Sequence, residues 1–246
     1  MSKRNNRSSV CIVIPTYNEK ENLMKLIPEI EEVAKQSNLP ITILIVDDAS
    51  PDGTAKAAED LSERYGNISV LRRLGKLGIG SAYKDGFKRA LEIGCDIVVE
   101  MDADLSHNPK HLPNLIDEIH RGNDLVIGSR YVPGGSVPGW PFKRRFTSKS
   151  ANFYAKTLLG LDAKDVTSGY RAFKASSLLK ADYSTVRSEG YMFQVEMVHR
   201  FKEKGLKIFE IPIEFIDRRV GESKLGLDEI SKFATGVFGI FLKRLF

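Results

Sequence analysis

The chain of 246 residues is long enough for one large domain or for one domain with an appendage. Its hydrophobic content of 42% and charged content of 28% are ordinary for a soluble globular protein, and Cys11 and Cys95 lie beside apolar runs, as buried cytosolic thiols do. The net charge of +5 permits phosphates, an anionic membrane surface or nucleic acid as partners, without choosing among them. Neither a secretory signal nor a run of about 18 apolar residues is found, so no transmembrane span is predicted.

Short apolar runs and longer segments of helical periodicity alternate along the first half of the chain. The predicted strands lie at 10–14, 41–46, 68–72, 96–101 and 124–128, and the predicted helices at 23–34, 56–65, 81–93 and 109–120. Pro28 falls inside the first helical pattern, which predicts either a kink or a late helix start. Strands that alternate with helices in this way indicate a mostly parallel, doubly wound α/β sheet.

The second half of the chain is less regular. Residues 131–141 form a Gly- and Pro-rich segment with the only tryptophan, Trp140, which predicts either a functional loop or a disordered surface loop. Helices are predicted at 147–159 and 192–204, a bend into a strand at 165–174, and strand material at 207–216 with Pro212 at its middle.

The last predicted helix, at 227–246, is apolar around most of its circumference, with Lys232, Lys243 and Arg244 as its basic residues. It is too short to cross a bilayer comfortably. We expect it to lie in a membrane interface or against a partner subunit, because its aromatic residues need cover. The alternative is that it packs on the catalytic domain.

Polar or charged residues follow four of the predicted strands, the first, second, fourth and fifth. Because ligands bind at the carboxyl ends of strands in such sheets, these residues indicate one shared ligand edge. Asp102 and Asp104 follow the fourth strand two positions apart, and residues i and i+2 of an extended chain point to the same side. Two carboxylates there suit Mg²⁺ or Mn²⁺. The alternative is that Asp104 opens a turn and that Asp102 is a solvated strand end.

Arginines are concentrated in the second half of the chain, and their planar guanidinium groups suit phosphate oxygens. They are Arg130, Arg144, Arg145, Arg171, Arg218 and Arg219. Arg130 and Arg171 are favoured as phosphate ligands because each follows small residues at an apparent strand end. For any one of them, a solvated surface position is the alternative.

Several phosphate-binding and catalytic signatures are absent. Residues 75–80 match neither the Walker loop nor the G-x-G-x-x-G pattern, and the sequence has no G-x-S-x-G motif, His pair at metal spacing or Cys cluster. A carboxylate pair for a metal, with basic residues beside it, fits transfer from a nucleotide-activated donor. Asp47, Asp48 and Glu19, at the ends of the first two strands, could accept hydrogen bonds from the base and ribose.

A set of ordered motifs resembles the dolichol-phosphate (polyprenol-phosphate) mannose synthases, a group within the family-two inverting glycosyltransferases. The resemblance runs from about Ile12 to the C-terminus. The motifs are Pro15-Thr-Tyr-Asn-Glu19, Val46-Asp-Asp-Ala-Ser-Pro-Asp-Gly-Thr54, Gly78-Ile-Gly-Ser-Ala82, Met101-Asp-Ala-Asp-Leu-Ser-His107, Gly128-Ser-Arg-Tyr131, Gly139-Trp140, Thr167-Ser-Gly-Tyr-Arg171, Gly190-Tyr-Met-Phe-Gln-Val-Glu-Met197 and Asp217-Arg-Arg-Val-Gly-Glu-Ser-Lys-Leu225.

The resemblance implies an α/β fold of GT-A type (Rossmann-like), with a mostly parallel sheet flanked by helices and a short C-terminal amphipathic helix. It implies a disordered basic tail at 1–9, a catalytic domain at 10–225 and the helix at 226–246.

The resemblance also implies residue roles. Residues expected to hold GDP-mannose are Pro15, Tyr17, Glu19, Val46, Asp47, Asp48, Asp102, Ala103, Asp104, Ser106, Arg130, Gln194, Glu196, Arg218 and Lys224. Residues expected at the acceptor phosphate are Arg130, Arg144, Arg145, Ser148, Arg171 and Arg219. Asp102 and Asp104 are the expected ligands of Mg²⁺ or Mn²⁺, and Asp104, Arg130 and Arg145 the expected catalytic residues. Some relatives have Gln where Ser106 stands, which affects the expected set of metal ligands.

The resemblance implies a dolichyl or polyprenyl phosphate acceptor, a lipid-linked mannose product for protein glycosylation, and a membrane-associated enzyme on the cytosolic face. Small membrane-anchoring subunits are expected partners and nucleic acid is not. The acceptor phosphate, with a second pKa near 6, is mostly a dianion at pH 7, so that an in-line displacement needs no general base. Rival hypotheses are a UDP-sugar donor, for example for a polyprenyl-phosphate glucosyltransferase, a nucleotidyltransferase and a non-catalytic membrane adaptor.

Overall fold

The computed structural model describes residues 8–216 and 227–245. The strands are β1 Val10–Thr16, β2 Ile41–Asp47, β3 Ile68–Arg72, β4 Ile97–Glu100, β5 Leu125–Ser129, β6 Arg171–Lys174 and β7 Ile208–Pro212. The α-helices are α1 Lys20–Ser37, α2 Thr54–Tyr65, α3 Ile79–Glu92, α4 Leu112–His120, α5 Phe142–Leu159, α6 Ala175–Lys180, α7 Tyr191–Glu203 and α8 Leu227–Leu245. Short 3₁₀ turns lie at Pro109–His111 and Tyr183–Thr185.

The seven strands form one sheet in the order β3-β2-β1-β4-β6-β5-β7. The strand β6 pairs antiparallel with both β4 and β5, while the other pairings are parallel. The carboxyl ends of six strands therefore lie at one edge, where β6 begins. The predicted GT-A-type, mostly parallel sheet is confirmed, and this edge is the one on which the sequence placed the ligand site.

Each face of the sheet is covered by its own apolar core. Cys11 and Val13 of β1 contribute to a core with α3 and α7, whereas Ile12 and Ile14 contribute to a core with α1 and α4. This division follows from the two-residue period of a strand, and it explains why the central strands are apolar throughout.

The element boundaries differ from the predicted ones by one to three residues at most ends, and three differences are informative. Helix α1 begins at Lys20 and continues through Pro28 to Ser37. Helix α5 begins at Phe142, five residues before the predicted start at Thr147, because it starts directly after Pro141. The strand predicted at 207–216 ends at Pro212, after which Glu214 and Phe215 make only isolated bridges.

Helix α8 packs on the domain along one side. Val237 is buried, Gly236 lies against Met192 of α7, and the Tyr154 hydroxyl of α5 donates to the Ala234 carbonyl at 3.1 Å. Its other side leaves Phe238 and Leu242 exposed. The helix thus does pack on the catalytic domain, but not with its whole apolar surface. Within the described ranges, no helix is both long and apolar enough to cross a membrane.

Gly86 lets α3 lie unusually close to the sheet, and a side chain there should destabilise the protein. A methyl group at this position would overlap Val13 Cγ1 and lie 3.2 Å from Val46 Cγ2. We expect Gly86→Ala to lower the free energy of unfolding by about 1–3 kcal/mol, measured by urea denaturation.

The matched control is Gly239→Ala in α8, where the added methyl group meets no atom within 4 Å. There we expect a gain of about 0.5–1 kcal/mol from helix propensity. Equal stability of Gly86→Ala and the wild type would contradict the close seating of α3.

Candidate active site

Asp102 lies just past β4 and is held from two directions. The Tyr83 hydroxyl donates to Asp102 Oδ1 at 3.1 Å, and the Asp102 backbone N–H donates to His107 Nδ1 at 3.0 Å. His107 Nε2 lies 3.8 Å from Asp102 Oδ2, and the His107 ring stacks on Tyr170. Because Nδ1 accepts a hydrogen bond, the neutral imidazole carries its proton on Nε2, towards the carboxylate. The side chain of Asp102 is 27% exposed, so it reaches the surface of the sheet edge.

Asp104 is fixed by the turn that it opens. The Ser106 N–H and hydroxyl both donate to Asp104 Oδ1, at 3.1 and 2.5 Å, and Leu105 between them has a left-handed backbone with φ 64°. The sequence offered this turn as an alternative to a metal site. The structure shows that Asp104 makes the turn while its carboxylate remains partly accessible at the same edge as Asp102.

The residues present fit a small divalent cation. Asp102 and Asp104 offer carboxylate oxygens at one place, and among the residues the structure describes no group of three or more His, Cys, Asp and Glu could form a complete protein cage. Mg²⁺ and Mn²⁺ are commonly held by one or two carboxylates and complete their shells with phosphate oxygens and water. The donor set therefore matches a cation that is shared with a phosphorylated ligand.

The two carboxylates predicted to hold the nucleoside are buried and already bonded. Asp47 accepts from the Thr16 hydroxyl at 3.0 Å and from the N–H and hydroxyl of Ser50 at 2.9 and 2.6 Å. Asp48 pairs with Arg73 at 2.5 Å and accepts from the Leu77 N–H at 3.1 Å. These bonds shape the loops that follow β2 and β3 around the carboxylates.

Other residues predicted to bind the donor lie at the same edge of the sheet. Tyr17 is exposed, with its ring centroid 4.0 Å from Lys76 Nζ, and the Glu19 N–H donates to the Thr54 hydroxyl at 3.0 Å. Pro15 is half-buried at the end of β1, while Val46 and Ala103 are buried. Lys76 thus covers one face of the exposed Tyr17 ring at this edge.

Arg73 is a residue that the sequence did not single out. It is buried, and besides Asp48 it bonds the Ser81 hydroxyl and pairs with Asp85 through Nε at 3.0 Å, both on α3. It therefore ties the loop of Asp48 to the first turns of α3. These side-chain partners lie 8 to 25 positions away in the chain, and no local pattern pairs them with Arg73.

Gly169 lies at the meeting point of several site residues. A Cβ atom there would lie 3.7 Å from Asp102 Oδ2, 3.6 Å from Gln194 Nε2 and 3.7 Å from His107 Cε1. Gln194 of α7 thus lies on the same side of the site as Asp102, while its expected role in holding GDP-mannose stays a prediction. Any larger residue at 169 would project into this space.

Glu196 does not accompany Gln194. Two positions further along α7, it faces away and binds Arg200 at 2.9 Å and the Ser188 hydroxyl at 2.6 Å. The prediction that Glu196 helps to hold GDP-mannose is therefore corrected. The physical reason is the helical period, which turns residues i and i+2 to different faces.

Arg171 is also corrected. It is fully buried on β6, where its guanidinium donates to the carbonyls of Gln194 and Val166, both at 2.8 Å, and it cannot contact an acceptor phosphate from there. Burial lowers the pKa of Arg171 to about 10, although the charge of Glu100 opposes this shift. The motif at 167–171 matches the family, but Arg171 itself has a structural role beneath the site.

Glu100, the last residue of β4, is fully buried beside Arg171 and Gln194. Burial raises the pKa of Glu100 to about 8, and Arg171 and Gln194 offset only part of this effect. Glu100 lies within the predicted strand at 96–101 and was not among the predicted site residues. A charged residue within such an apolar strand was the available signal, since buried carboxylates are rare unless they are paired.

Arg130, after β5, forms a buried ion pair that was also not foreseen. Its Nε and Nη2 bind Asp165 Oδ2 and Oδ1, both at 2.7 Å, and Nη2 also donates to Thr167 at 2.8 Å. Burial alone would raise the pKa of Asp165, but Arg130 outweighs burial and holds that pKa below its usual range. Arg130 is thus fixed in place, with the Trp140 ring 5.5 Å from its guanidinium carbon.

A largely apolar cavity of about 340 Å³ opens beside Arg130, between α5 and α8. Its lining includes Arg130, Trp140, Arg144, Phe146, Thr147, Ser148, Ser150, Ala151, Tyr154, Thr167, Tyr191, Glu229, Ile230, Phe233 and Ala234. Arg144 stacks on Trp140 at 4.0 Å, and the Tyr131 hydroxyl donates to the Ser148 hydroxyl at 2.7 Å. The structure therefore brings Arg130, Arg144 and Ser148 together at one cavity.

Arg145 lies apart from that cavity, on the exposed surface of α5. Arg218, Arg219 and Lys224 lie outside the described residues, so their predicted roles stay predictions.

The fold and site define a GT-A-type enzyme with a carboxylate pair at the carboxyl edge of its sheet. Residues 11–180 match the model of the family described as glycosyl transferase family 2. Two curated relatives extend this match. A polyprenol monophosphomannose synthase of Mycolicibacterium smegmatis is 43% identical over 93% of this chain and 86% of its own length. An undecaprenyl-phosphate mannosyltransferase of Micrococcus luteus is 44% identical over 88% and 87%, respectively. The chain belongs to glycosyl transferase family 2, and its predicted resemblance to polyprenol-phosphate mannose synthases is confirmed.

Solved structures agree on the fold. Glucosyl-3-phosphoglycerate synthase of Mycobacterium tuberculosis, in complex with Mn²⁺, UDP-glucose and glycerol 3-phosphate, superposes with a TM-score of 0.68 at 20% identity, covering 96% of this chain and 80% of that one. Mannosyl-3-phosphoglycerate synthase of Rubrobacter xylanophilus gives 0.68 at 19% identity, covering 97% and 74%. At these identities the likeness establishes the fold alone.

The buried Glu100 should make stability depend on pH. Its pKa is about 8 in the folded protein against an ordinary value of 4.5, so between these pH values the folded state retains a proton that the unfolded state releases. Stability should therefore be highest below this window and fall as pH rises through it, by up to about 1.4 kcal/mol per pH unit.

We expect Glu100→Gln, which stays neutral, to lose this slope and to become more stable relative to the wild type as pH rises. Urea denaturation across the window measures both proteins. Glu29→Gln, on the exposed side of α1, is the control and should follow the wild type. Parallel pH profiles for Glu100→Gln and the wild type would exclude a neutral buried Glu100.

Proposed function

We propose that this glycosyltransferase transfers mannose from GDP-mannose to a dolichyl or polyprenyl phosphate, with inversion at the anomeric carbon. The products are the lipid β-D-mannosyl phosphate and GDP. The observation that carries the proposal is the apolar cavity with Arg130, Arg144 and Ser148 on its wall, because an acceptor with a phosphate head and an apolar tail needs both chemistries side by side. The names of the two relatives above 40% identity support it.

The cavity is close to the predicted donor site. Thr167 lines the cavity, and Gly169, two residues on, lies against Asp102. Two residues of chain span at most about 7 Å, so an acceptor phosphate at the cavity mouth could approach a sugar held above Asp102. Arg144, stacked on Trp140, stands where the polar head would meet the apolar tail.

In this proposal, the chain positions the reactants and compensates their charge. Asp102 and Asp104 hold Mg²⁺ or Mn²⁺, which supplies neutralisation of the leaving diphosphate. Arg144 and Ser148 orient the acceptor phosphate, and Arg130 fixes the wall behind them. The acceptor is already mostly a dianion at pH 7, so its oxygen attacks the anomeric carbon without a protein base as the bond to GDP breaks.

The outer face of α5 supports association with a membrane surface. Phe142, Phe146 and Phe153 are 81%, 63% and 71% exposed, and their spacing places them on one side of the helix, where Phe146 also lines the cavity. Exposed Arg145 and Lys149 flank this aromatic face, and exposed Phe238 and Leu242 of α8 belong to the helix packed beside it. An aromatic surface with basic flanks fits an anionic lipid interface on the cytosolic side. Small membrane-anchoring subunits remain a prediction for the exposed side of α8.

A donor screen tests the proposed reaction. Purified protein is incubated with a short polyprenyl phosphate, Mg²⁺ or Mn²⁺, and in turn GDP-mannose, UDP-glucose and UDP-N-acetylglucosamine, and the lipid-linked sugar and released nucleotide are quantified. We expect transfer from GDP-mannose alone, with Asp104→Asn lowering it at least about 100-fold because the metal and diphosphate lose a ligand. Asp162→Asn is the control, because the Asp162 side chain is 93% exposed and pairs with Lys202.

Transfer from a UDP-sugar would overturn the assignment of GDP-mannose as donor but would keep the lipid phosphate as acceptor. Release of pyrophosphate would indicate a nucleotidyltransferase. Without transfer from any donor in the presence of lipid and detergent, the proposal fails in favour of an adaptor or an enzyme of different specificity.

Vesicle sedimentation tests the aromatic face. We expect the wild type to bind vesicles of phosphatidylglycerol and phosphatidylcholine more weakly as salt rises, and the triple change Phe142→Ser, Phe146→Ser, Phe153→Ser to lose at least about 10-fold in affinity, because insertion of these rings is removed. The matched control replaces Met24, Ile93 and Leu179, exposed on other surfaces, by Ser. Equal losses in both triple variants would argue against a membrane face on α5.

A further inference from the structure

Tyr83 is a buried residue whose one polar atom reaches the candidate metal site. The residue has no exposed surface, and its hydroxyl donates to Asp102 Oδ1 at 3.1 Å. Its ring stacks on Phe87 and Phe193, each with centroids 6.0 Å away. Burial, together with the negative charge of Asp102, raises the pKa of Tyr83 well above its usual value, so that the hydroxyl keeps its proton and acts as a donor.

The position of this hydroxyl is set by the packing of α3. Gly86, three residues after Tyr83 and on the same side of the helix, allows α3 to approach Val13 and Val46 closely. At its start, α3 is fixed again, because Glu189 accepts from the N–H groups of Gly80 and Ser81 at 2.8 and 3.0 Å. The hydroxyl of Tyr83 therefore cannot follow Asp102 if the carboxylate turns.

Asp102 needs such a constraint. It lies beyond the last residue of β4, where the ladder no longer holds the chain, and its side chain is 27% exposed. A carboxylate in this position can adopt several rotamers. His107 binds its backbone N–H, which fixes the main chain, while Tyr83 binds one carboxylate oxygen, which fixes the side chain. Hydrogen bonds of this kind to metal-binding carboxylates orient them and tune their affinity.

We propose that Tyr83 is a positioning residue, whose hydroxyl selects the rotamer in which Asp102 presents its carboxylate to the donor-bound divalent cation. The inference rests on the metal role in the proposed function, but not on the identity of the sugar or the acceptor. It gives α3 a part in the reaction through the contact of Tyr83 with Asp102. The expected consequence of losing the hydroxyl is weaker metal binding with an intact fold.

The test is Tyr83→Phe in the full chain, with Mn²⁺ binding followed by electron paramagnetic resonance in the presence of GDP. The ring is kept, so the aromatic cluster should still pack. We expect the Mn²⁺ dissociation constant to rise about 10-fold or more. In steady-state assays, the metal concentration for half-activation should rise by a similar factor, while kcat at saturating Mn²⁺ should recover towards the wild-type value.

The matched control is Tyr183→Phe. Tyr183 packs on the same Phe87 ring, at 5.7 Å, but belongs to the Tyr183–Thr185 turn and not to the Asp102 contact. It should bind Mn²⁺ as the wild type does. Thermal unfolding of both variants separates loss of packing from loss of positioning.

Unchanged Mn²⁺ affinity in Tyr83→Phe, beside normal GDP-linked binding by the wild type, would overturn this inference and leave the proposed function intact. The inference would also be overturned if Tyr183→Phe weakened Mn²⁺ binding equally, or if Tyr83→Phe lowered only the melting temperature. Absence of GDP-linked Mn²⁺ binding in the wild type would overturn both the metal role and this inference.

Discussion

The ion pair between Arg130 and Asp165 is the interaction on which the acceptor side of the molecule depends. It joins the end of β5 to the segment that leads into β6, and Glu210 of β7 in turn holds the backbone N–H of Asp165 at 2.9 Å. Three strands therefore meet at one buried pair. Removing either partner of such a pair leaves a buried charge uncompensated, at a cost of about 3–5 kcal/mol. Because this pair fixes Arg130, it also fixes the part of the cavity wall that Arg130 forms.

A second buried polar pair, Glu100 and Arg171, lies beneath the donor side. A wholly apolar interior would be more stable there. Glu100 and Arg171 are both fully buried. Burial favours the neutral form of each side chain, because it raises the pKa of Glu100 and lowers the pKa of Arg171. Buried polar groups of this kind are expensive unless hydrogen-bonded, but once satisfied they hold their surroundings in one arrangement. Arg171 bridges the carbonyls of Val166 and Gln194, and so connects the turn before β6 with the helix that presents Gln194 to the site.

The sheet edge and the surface formed by α5 and α8 differ in polarity. Carboxylates and bonded loops form the sheet edge, whereas α5 and α8 carry the apolar cavity and the exposed aromatic residues. An acceptor with a charged head and an apolar tail matches such a boundary. Helix α5 lines the cavity on one side and exposes Phe142 and Phe153 on the other, so it carries both proposed functions. This arrangement explains why one helix carries so many aromatic and basic residues together.

Local periodicity in the sequence determined most of the elements, the parallel sheet, the ligand edge and the placement of Asp102 and Asp104, because strand and helix periods depend on neighbouring residues. The ordered motifs predicted the family. Only the tertiary structure decided that β6 runs antiparallel, that Arg171 and Glu196 face away from the ligands, and that Asp165, Arg73 and Tyr83 hold the site. Tyr83 and Asp102 are 19 positions apart, and Arg130 and Asp165 are 35 apart. No short pattern encodes such pairs, because their meeting depends on how whole helices and strands pack.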